Sequence, residues 1–413
     1  MSGKILITGG AGFIGSHLAD ELVHAGYSVR VLDNLDAQVH GGRRRRPAYL
    51  HDEVELQVGD MRDFGAVRRA LQGVSVVFHI AARVGVGQSM YELQEYVSVN
   101  TLGTAVLLEE LARAPVDRLV VASSMSIYGE GLYRNGCGSP VPGTRRSFEQ
   151  LRRGDWELVG AGGSPLSPLP TPESKPVDLE SIYALSKYDQ ERMCLIAGRA
   201  YDIPTVALRF FNVYGSRQAL SNPYTGVLAI FASRLLNDRP PLIFEDGLQQ
   251  RDFVSVHDVA RACRLVLESG VRGRSLNIGS GRGRTVLDVA LALSDALGKK
   301  SIDPEISGRS RVGDIRHCVA DISTARELIG YEPEVRFEDG LLDLCAWLRG
   351  QPAQDRVSIA SAELHSRGLT IEANPLRVAD GTPSRSPIDR ESRHPARKGR
   401  TREPRGRQAG EAK

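Results

Sequence analysis

A glycine-rich turn near the start of the chain restricts the possible fold more than any other stretch. The apolar run Lys4–Thr8 is typical of a buried parallel strand, and Gly9, Gly12 and Gly15 follow it directly. A helical pattern then runs over residues 16–25. Glycines at this spacing allow a tight turn, a close approach of the backbone to a pyrophosphate, and close packing of helix on strand. The stretch therefore predicts a strand–turn–helix unit that binds a dinucleotide.

The acidic residue Asp33 narrows the choice of dinucleotide. Gly26 ends the predicted helix, residues 28–32 form the predicted second strand, and Asp33 lies at its tip, 24 residues after Gly9. A carboxylate in this place can bind a ribose 2′-hydroxyl, whereas the 2′-phosphate of NADP would meet a like charge. The helix N-terminus supplies N–H groups and a positive dipole to the phosphates. We therefore expect NAD to be the cofactor.

The alternation of strands and helices continues beyond Asp33. Apolar runs at 54–58, 75–80 and 119–123 predict further strands, and residues 93–113 predict one long helix. Ligands of such sheets gather at the carboxyl ends of the strands, which makes the residues just after each strand candidates for a site. The predicted fold class is α/β: a Rossmann-type doubly wound parallel sheet with a smaller C-terminal α/β substrate subdomain and a disordered tail.

A tyrosine and a lysine in the middle of the chain form a candidate catalytic pair. Ser181 can cap a helix that runs on to Tyr201, so Tyr183 and Lys187, four residues apart, share one face of it. A nearby ammonium group lowers the pKa of a phenol, and a phenolate that forms near neutral pH is a good base for a sugar hydroxyl. Many helices carry this spacing by chance, with the tyrosine half-buried and the lysine in water. The motifs before and after the pair therefore decide its meaning.

Composition and charge exclude several other classes. The 413 residues are 41% hydrophobic and 25% charged, as in ordinary soluble proteins, and no apolar run approaches the length of a membrane span. Five scattered cysteines and no recognisable signal peptide predict a reducing compartment, the cytoplasm. Residues 351–413 carry 13 Lys/Arg against 8 Asp/Glu, so the positive formal net charge of the chain, +3, comes from this C-terminal segment. The rest of the chain offers no broad basic surface for nucleic acid.

Two segments depart from the alternating pattern. Residues 130–178 are an insert rich in Gly, Pro, Ser and Arg, and they look like a metal ribbon that has lost its ligands. Since Cys137 alone cannot make a tetrahedral zinc site, we expect no metal there. A rim over the substrate and a flexible surface loop both remain open for this insert. Residues 351–413 have no aromatic side chain and predict a disordered basic tail.

Taken in order, the motifs resemble one known family, the extended short-chain dehydrogenase/reductases, and within it the NAD-dependent nucleotide-sugar epimerases and dehydratases. The resemblance covers roughly residues 1–350 and rests on Thr8–Gly15, Asp33, Gly59-Asp60, Ala81-Ala82, Asn100, Ser123-Ser124, Tyr128-Gly129, Tyr183, Lys187, Arg209–Gly215, Arg251–Phe253 and Arg311–Asp314. It predicts an NAD-binding Rossmann part in residues 1–180. Residues 181–350 would complete the Rossmann core and form the sugar-nucleotide subdomain, and residues 351–413 would be the tail.

The resemblance also implies roles for individual residues. Tyr183 would remove the proton from a sugar hydroxyl, Lys187 would stabilise the phenolate and bind the nicotinamide ribose, and Ser124 would hold the reacting oxygen. Residues expected to touch the substrate are Ser124, Tyr183, Asn212, Arg251 and Arg311, with both arginines on the diphosphate. Residues expected to bind NAD are Gly9, Gly12, Phe13, Ile14, Gly15, Asp33, Asn34, Asp60, Met61, Ala81, Ala82, Asn100, Ser123, Tyr183, Lys187 and Phe210.

The choice among the family's reactions rests on what stands beside Ser124. Dehydratases of the family carry Thr-Asp-Glu at this motif, whereas this chain has Ser124-Met125-Ser126, which argues against 4,6-dehydration. The expected reaction is 4-epimerisation through a transient 4-keto sugar. The stretches 84–91, 124–133 and 313–318 resemble the dTDP-L-rhamnose 4-epimerase branch more than UDP-glucose 4-epimerases. UDP-hexose epimerisation, a nucleotide-sugar 4-ketoreductase and a non-catalytic NAD-binding regulator are the alternatives. The resemblance also implies a homodimer through the helices that begin near Leu93 and Ser181.

Overall fold

The computed structural model describes residues 3–42, 44–160, 162–220, 222–224, 226–351 and 354–373. The strands, in chain order, are β1 (Lys4–Thr8), β2 (Val29–Asp33), β3 (Glu55–Val58), β4 (Val74–His79), β5 (Arg118–Ser124), β6 (Leu132–Arg134), β7 (Pro140–Pro142), β8 (Ser167–Thr171), β9 (Thr205–Phe210), β10 (Asn212–Tyr214), β11 (Leu242–Ile243), β12 (Gln250–Ser255), β13 (Arg274–Ile278), β14 (Gly283–Thr285), β15 (Glu305–Ile306), β16 (Arg309–Arg311), β17 (His317–Ala320) and β18 (Thr370–Glu372).

The helices follow the same chain order. They are α1 (Phe13–His24), α2 (Ala37–His40), α3 (Phe64–Ala70), α4 (Val86–Ser89), α5 (Leu93–Tyr96), α6 (Gly103–Arg113), α7 (Phe148–Arg153), α8 (Ile182–Ala200), α9 (Val227–Leu236), α10 (Val256–Glu268), α11 (Val286–Ala296), α12 (Ser323–Ile329), α13 (Phe337–Leu348) and α14 (Val357–Ser366). A π-helical turn (Val97–Leu102) and a 3-10 turn (Met125–Tyr128) complete the set. In the described part of the chain, no helix is both long enough and apolar enough to cross a membrane.

Seven parallel strands form the central sheet, in the order β3-β2-β1-β4-β5-β9-β13. Helices cover both faces, so neighbouring residues of one strand are buried on opposite sides. Ile5 and Ile7 pack with Leu18 of α1, whereas Leu6 packs with Leu107 of α6. The chain leaves β1 in one direction and returns to β4 on its other side, which places a crevice between their carboxyl ends. The predicted Rossmann-type doubly wound sheet is confirmed.

The long helix predicted over residues 93–113 consists of three consecutive pieces. α5 runs into the π-helical turn, which runs into α6, and Asn100 lies buried within that turn. Its Nδ2 donates to Arg83 O (3.0 Å) and Ser186 Oγ (2.9 Å), and its Oδ1 accepts from Arg83 N (2.6 Å). Such turns are frequent at functional sites. Here the turn ties α8 to the loop that follows β4.

The insert is ordered where the structure describes it. It contains β6, β7, α7 and β8, and β8 pairs in parallel with β17, with Val319 opposite Pro170 and Ala320 opposite Thr171. The insert thereby extends a second sheet of order β10-β12-β17-β8-β6-β7. The alternative of a flexible surface loop is wrong for these residues, because pairing with a strand some 150 positions away fixes the segment. Among the described residues, no group of three His, Cys, Asp or Glu side chains is placed to hold a metal ion.

Buried charges join the insert to the C-terminal half. The Arg316 side chain has no exposed surface, and it pairs with Glu157 of the insert (Nε–Oε1 2.9 Å), with Glu245 (Nη1–Oε2 3.0 Å) and with Asp246 (Nη1–Oδ1 2.7 Å). Arg146 of the insert also pairs with Glu245 (Nη2–Oε1 2.8 Å). A buried charge is costly unless it is paired. The position of Arg316 therefore depends on the insert being in place.

The smaller subdomain is built on α9, α11 and α13. Their apolar faces meet around Phe231, Leu293 and Leu344, all buried. Tyr214 at the end of β10 belongs to the same cluster, and its hydroxyl donates to Phe337 O (3.3 Å). Because Tyr214 lies only four residues after the end of β9, this contact fixes the subdomain directly above the carboxyl end of the central sheet.

The tail does not begin at residue 351, and that predicted boundary is wrong. α14 and β18 lie within residues 354–373, and β18 pairs antiparallel with β16, with Ile371 opposite Ser310. Val357, Ala360 and Leu364 are buried at helical spacing, a short apolar stripe that the lack of aromatic residues conceals. The remainder of the predicted tail, from residue 374, lies outside the described residues.

Candidate active site

One cavity lies between the carboxyl ends of the central strands and the smaller subdomain. Predicted residues that line it are Phe13, Ile14, Ala82, Ser123, Ser124, Tyr183, Lys187, Phe210, Asn212, Arg251 and Arg311. The other predicted residues lie at the ends of β1, β2, β3 and β4, in the loops that follow these strands, or in elements that contact the loops. They are Gly9, Gly12, Gly15, Asp33, Asn34, Asp60, Met61, Ala81 and Asn100. The structure thus brings the three predicted catalytic residues and the three predicted sugar-nucleotide residues into one space.

Tyr183 occupies the first turn of α8, and two serines fix it. Ser181 caps the helix, since its Oγ accepts from Ala184 N (3.1 Å), and Tyr183 N donates to Ser89 Oγ (3.0 Å). The Tyr183 side chain hydrogen-bonds Ser124. Burial raises the pKa of the Tyr183 phenol above its ordinary value, and the bond with Ser124 opposes that rise. The predicted lowering of this pKa by Lys187 is not found, because desolvation outweighs the favourable interactions of the phenolate.

Lys187 is a buried ammonium group with a neutral partner. Its side chain is nearly inaccessible, and its Nζ donates to Gln190 Oε1 (2.7 Å). Burial lowers the pKa of Lys187 to about 7. An ammonium group has three donors, so two remain for hydroxyl groups or a phenolate in the cavity. This arrangement suits a residue that binds a ribose and a reacting tyrosine at the same time.

A polar network behind Lys187 holds it in place. Gln190 Nε2 donates to Thr104 Oγ1 (3.0 Å) and to Ala81 O (3.2 Å), so the residue that binds Lys187 also binds the loop after β4. His79 lies in the same network, with Nδ1 2.8 Å from Thr8 Oγ1. Burial, with a smaller effect of the Lys187 charge, lowers the pKa of His79 to about 3, so this imidazole is neutral. Sequence analysis missed Gln190 and His79, although Gln190 stands one helical turn after Lys187.

The glycine turn has the shape that a dinucleotide pyrophosphate requires. Gly9 has φ +68°, and a Cβ there would lie 2.7 Å from Ala81 Cα. A Cβ on Gly15 would lie 2.3 Å from Gly9 O. These contacts leave room only for glycine, and they keep bare backbone at the N-terminus of α1, where N–H groups face outward without helical partners. The turn therefore fits NAD, which Gly9, Gly12, Phe13, Ile14 and Gly15 would hold by its phosphates.

The Asp33 carboxylate accepts hydrogen bonds from nearby backbone groups and can also accept one from a ribose. Its Oδ2 accepts from Ala11 N (3.0 Å) and its Oδ1 from Leu35 N (2.9 Å), which joins the glycine turn to the loop after β2. A carboxylate oxygen has further acceptor capacity, so a ribose hydroxyl can add to these bonds. Asn34 and Asp60 lie side by side (Nδ2–Oδ2 3.5 Å), and Asp60 pairs with Arg62 (2.8 Å). This edge is where an adenosine would lie.

Two predicted cofactor residues have side chains that are already occupied. Ser123 Oγ donates to Glu191 Oε2 (2.6 Å), and Glu191 in turn accepts from Arg209 (2.7 Å). Met61 is buried against Gly103 at the start of α6. Only the backbone of Ser123 and Met61 is therefore open to a ligand. The hydroxyl that faces the reacting centre belongs to Ser124, which also accepts from Ser126 Oγ (3.0 Å).

The substrate side of the cavity carries two arginines, Arg251 and Arg311. Arg251 donates to three carbonyl oxygens, those of Ile315 (2.6 Å), Arg316 (2.8 Å) and Gln250 (2.9 Å), and no described acidic side chain pairs with it. Arg311 lies 2.7 Å from Asp314 and over the ring of Phe244. A guanidinium held by neutral groups keeps its charge for an anion. Arg251 is thus fixed in position with an uncompensated charge, as a diphosphate site requires.

Unpaired amide oxygens indicate where a ligand completes the site. Within the described residues, Asn212 Oδ1, Gln218 Oε1 and Gln249 Oε1 are buried without a hydrogen-bond partner, and all three residues line the cavity. Buried acceptors are normally satisfied. A ligand rich in hydroxyl and amide donors, such as a sugar nucleotide, would supply their partners. Sequence analysis identified Asn212 and missed the two glutamines.

The carboxylates in the cavity are all engaged in ion pairs. Glu180 pairs with Arg145, Glu245 with Arg146 and Asp314 with Arg311. Among the described cavity residues, no carboxylate is left free beside Ser124 to act as a second acid or base. The arrangement can transfer a hydroxyl proton through Ser124 and Tyr183 beside a bound dinucleotide. Among the described cavity residues it offers no free carboxylate of the kind that elimination of water would need.

Comparisons with known proteins agree with this geometry. The model of the NAD dependent epimerase/dehydratase family matches residues 5–149 and 156–279. A dTDP-L-rhamnose 4-epimerase of Burkholderia thailandensis is 35% identical over 84% of this chain and 94% of its own. A putative UDP-glucose 4-epimerase of Methanocaldococcus jannaschii is 31% identical over 84% of this chain and 98% of its own.

Solved structures give the same result. The UDP-glucose 4-epimerase of Thermus thermophilus in complex with NAD superposes with a TM-score of 0.66 at 32% identity, and it matches 84% of this chain and all of its own (100%). A UDP-N-acetylglucosamine 4-epimerase of Methanobrevibacter ruminantium, in complex with UDP-N-acetylmuramic acid, has a TM-score of 0.69 at 28% identity, over 85% of this chain and 99% of its own.

Proposed function

The chain belongs to the NAD dependent epimerase/dehydratase family, and from this premise we propose that it is a 4-epimerase of dTDP-L-rhamnose. It is an NAD-dependent enzyme of the isomerase class, and its substrates are nucleotide sugars. The observation that carries the proposed reaction is the single cavity in which Ser124, Tyr183 and Lys187 meet Arg251 and Arg311. The 35% identity to a dTDP-L-rhamnose 4-epimerase supports the choice of sugar.

The residues divide the work at the reacting carbon. When NAD is bound, its nicotinamide supplies the group that takes up and returns a hydride. Tyr183 removes the proton of the 4-hydroxyl. Ser124, whose side chain interacts with Tyr183, donates a hydrogen bond to the oxygen of that same 4-hydroxyl. Lys187 donates toward the phenolate and stabilises its charge. Because the phenol pKa is raised by burial, this help from the ammonium group is needed for Tyr183 to act near neutral pH.

The substrate side of the cavity must hold the diphosphate of the nucleotide sugar and leave the hexose free to turn. Arg251 and Arg311 fix the diphosphate, while the hexose is free to present either face of its 4-keto form to the cofactor. Charged bonds to two phosphates are strong enough to retain a substrate while its sugar turns. The hydrogen bonds of Arg251 suit it to phosphate binding, since its carbonyl partners orient the guanidinium without neutralising its charge.

UDP-glucose is the second candidate substrate. Several solved relatives are UDP-hexose 4-epimerases, including the Thermus thermophilus enzyme, and the putative Methanocaldococcus jannaschii relative carries the same name. A nucleotide-sugar 4-ketoreductase would have the same three catalytic residues but would need a cofactor that exchanges. A non-catalytic NAD-binding regulator has no use for Ser124, Tyr183 and Lys187 in a single cavity, and it ranks last.

NMR of the purified protein tests the proposal. The protein is incubated without added cofactor with dTDP-L-rhamnose and, separately, with UDP-glucose. We expect the 4-epimer of dTDP-L-rhamnose to accumulate to equilibrium without net change of NAD. Turnover of UDP-glucose alone would replace the proposed substrate by the second candidate. No turnover of either sugar, even with NAD supplied, would contradict the epimerase proposal for both.

We also propose a homodimer through four helices, two from each copy. Leu93, Val97 and Leu102 are exposed along α5 and the π-helical turn, and Leu185 and Ile196 are exposed on the adjacent α8. Five large apolar side chains on neighbouring helices form the kind of patch that a partner covers. Light scattering at micromolar concentration should give the mass of two chains, and a monomer would contradict the proposal.

The cysteines support the predicted cytoplasmic location. Cys194, Cys263, Cys318 and Cys345 are buried and unpaired, and Cys137 is exposed and unpaired. Free thiols of this number are typical of a reducing compartment. Fractionation of cells that express the full chain would check the location directly, and recovery of the protein outside the cytoplasm would contradict it.

A further inference from the structure

Residues 354–373 contain a helix that lines the cavity, and we call them the C-terminal strap. The strap consists of α14 and β18. At its start, Asp355 is buried between Arg239 (Oδ2–Nη1 3.1 Å) and Arg234 (3.9 Å) of the smaller subdomain. At its end, β18 pairs with β16, and Ala373 N donates to Gly308 O (3.1 Å). Both ends are thus attached to the body of the protein.

The inner face of α14 is a wall of the active-site cavity. Val357, Ala360, Ser361 and Leu364 line the same cavity as Tyr183. Val357, Ala360 and Leu364 are less than 10% exposed, whereas Ile359 on the outer face of the helix is 69% exposed. The wall is therefore mostly apolar, with the hydroxyl of Ser361 beside it.

The strap reaches the reacting end of the cavity. The two methyl carbons of Leu364 lie 3.4 Å from where a Cβ of Gly87 would stand. Gly87 belongs to α4, which ends at Ser89, and Ser89 Oγ accepts from Tyr183 N (3.0 Å). Arg367 at the end of α14 stacks on Tyr91 at 4.4 Å. Only the four-residue helix α4 thus separates Leu364 from the backbone of the catalytic tyrosine.

The reported relatives leave part of this chain unmatched. Those relatives match 94% and 98% of their own lengths to 84% of this chain. Since the family model already matches from residue 5, most of the surplus lies toward the C-terminal end, where the strap is. A wall placed at the reacting end of the cavity is suited to setting which sugar this enzyme accepts.

We propose that the strap selects hexoses that carry a methyl group instead of a hydroxymethyl group at carbon 6, with Leu364 and Ala360 in contact with that methyl group. The inference rests on the proposed function. Leu364, Ala360 and Val86 offer no hydrogen bond, so a 6-hydroxyl placed among them would lose its water without compensation. A 6-methyl group would instead gain by burial. The strap is thus a specificity element for 6-deoxy sugars.

The test compares two substrates that differ only in that hydroxyl, dTDP-L-rhamnose and dTDP-L-mannose. With the full-length wild type we expect kcat/KM to favour the 6-deoxy sugar. Leu364→Ser should reduce this preference about tenfold or more, the range for a change of this size in an apolar pocket. Leu364→Met, which keeps apolar volume, should retain the preference. Ile359→Ser, the same kind of change on the outer face of α14, should leave it within about twofold.

Several outcomes would overturn the proposal. One is a wild type that prefers the 6-hydroxylated sugar. Another is a Leu364→Ser variant that loses rate on both sugars equally, which would reduce the strap to a structural support. A third is a Ser361→Ala variant that shifts the preference when Leu364→Ser does not, since the wall would then recognise a hydroxyl group. If the wild type turns over neither sugar but epimerises UDP-glucose, the proposed substrate fails first, and with it the selection of 6-deoxy sugars.

Discussion

The two walls of the cavity are built by different forces. The cofactor wall is the carboxyl edge of β1, β2, β4 and β5, where parallel backbone pairing and apolar side chains on both faces hold the strands. The substrate wall is assembled from the smaller subdomain, the segment around Arg311 and the strap, and the insert supports this wall from behind through charged side chains and short strand pairs. Backbone pairing tolerates most substitutions, whereas a buried ion pair fails when one partner is removed. The cofactor wall should therefore tolerate most single substitutions, and the substrate wall should be sensitive to the loss of one charged side chain.

The largest expected effect lies where the two walls meet. Tyr183→Phe removes the group that takes the proton and should lower kcat about a thousandfold, within the range for loss of a general base. Retention of NAD, read from the absorbance of the purified protein, should change little, because the glycine turn and Lys187 are untouched. Tyr188→Phe makes the same chemical change on the same helix and should leave kcat unaltered. Equal losses in both variants would contradict the assignment of Tyr183.

A single side chain should be able to disrupt the substrate wall. Arg316→Met leaves the buried Glu245 with Arg146 as its remaining partner and removes the partner of the more exposed Glu157 and Asp246, and we expect a loss of up to about 3 kcal/mol in the free energy of unfolding. Chemical denaturation followed by circular dichroism measures it. Arg326→Met, which removes an exposed pair with Glu332, is the matched control and should have little effect. Similar losses in the two variants would show that the buried cluster does not hold the wall.

Arg251 tests how the substrate wall binds its ligand. Lysine keeps the charge but cannot donate to three carbonyl oxygens and a phosphate, so Arg251→Lys should raise KM about tenfold with a smaller change in kcat. Initial rates over a range of substrate concentration separate the two constants. Arg284 stands opposite Arg251 on β14, and it pairs with Glu338 instead of facing the cavity. Arg284→Lys should therefore leave KM unchanged, and a fall in kcat alone for Arg251→Lys would contradict a binding role.

The last prediction concerns how the stability of the protein without cofactor depends on pH. The pKa of Lys187 is lowered to about 7 by burial, so between pH 7 and its ordinary pKa near 10.5 the unfolded chain binds more protons than the folded one. Stability of the protein without cofactor should therefore rise with pH in this window, by up to about 1.4 kcal/mol per unit. Lys187→Met should lack this rise. Denaturation at pH 7, 8 and 9 compares them, and parallel curves would contradict the low pKa.

The cofactor wall was predictable because its signals are local. Gly9, Gly12 and Gly15 stand within one turn, and Tyr183 and Lys187 within one helix, so their spacing alone places them. The direction of the Tyr183 pKa was not predictable, since it depends on how deeply the folded protein buries the phenol. Local spacing predicts which groups meet, and only the fold determines how much water reaches them.

The substrate wall was predicted less well because its contacts are distant in sequence. Pro170 of the insert pairs with Val319, and Leu364 of the strap contacts Gly87. Neither segment carries a strong pattern of its own, so the insert resembled a loop and the strap a tail. Gln190, Gln218 and Gln249 were missed for a related reason, since an amide becomes meaningful only when its partner, or the lack of one, is known.

The strap has a consequence for the order in which the enzyme is made. β1, α1 and α8 are synthesised early, whereas β18 can pair with β16 only after residue 373 has left the ribosome. Domains generally form from the N-terminus during synthesis. The dinucleotide cleft therefore takes shape before the substrate wall is complete, and the strap is the last part of the active site to be added.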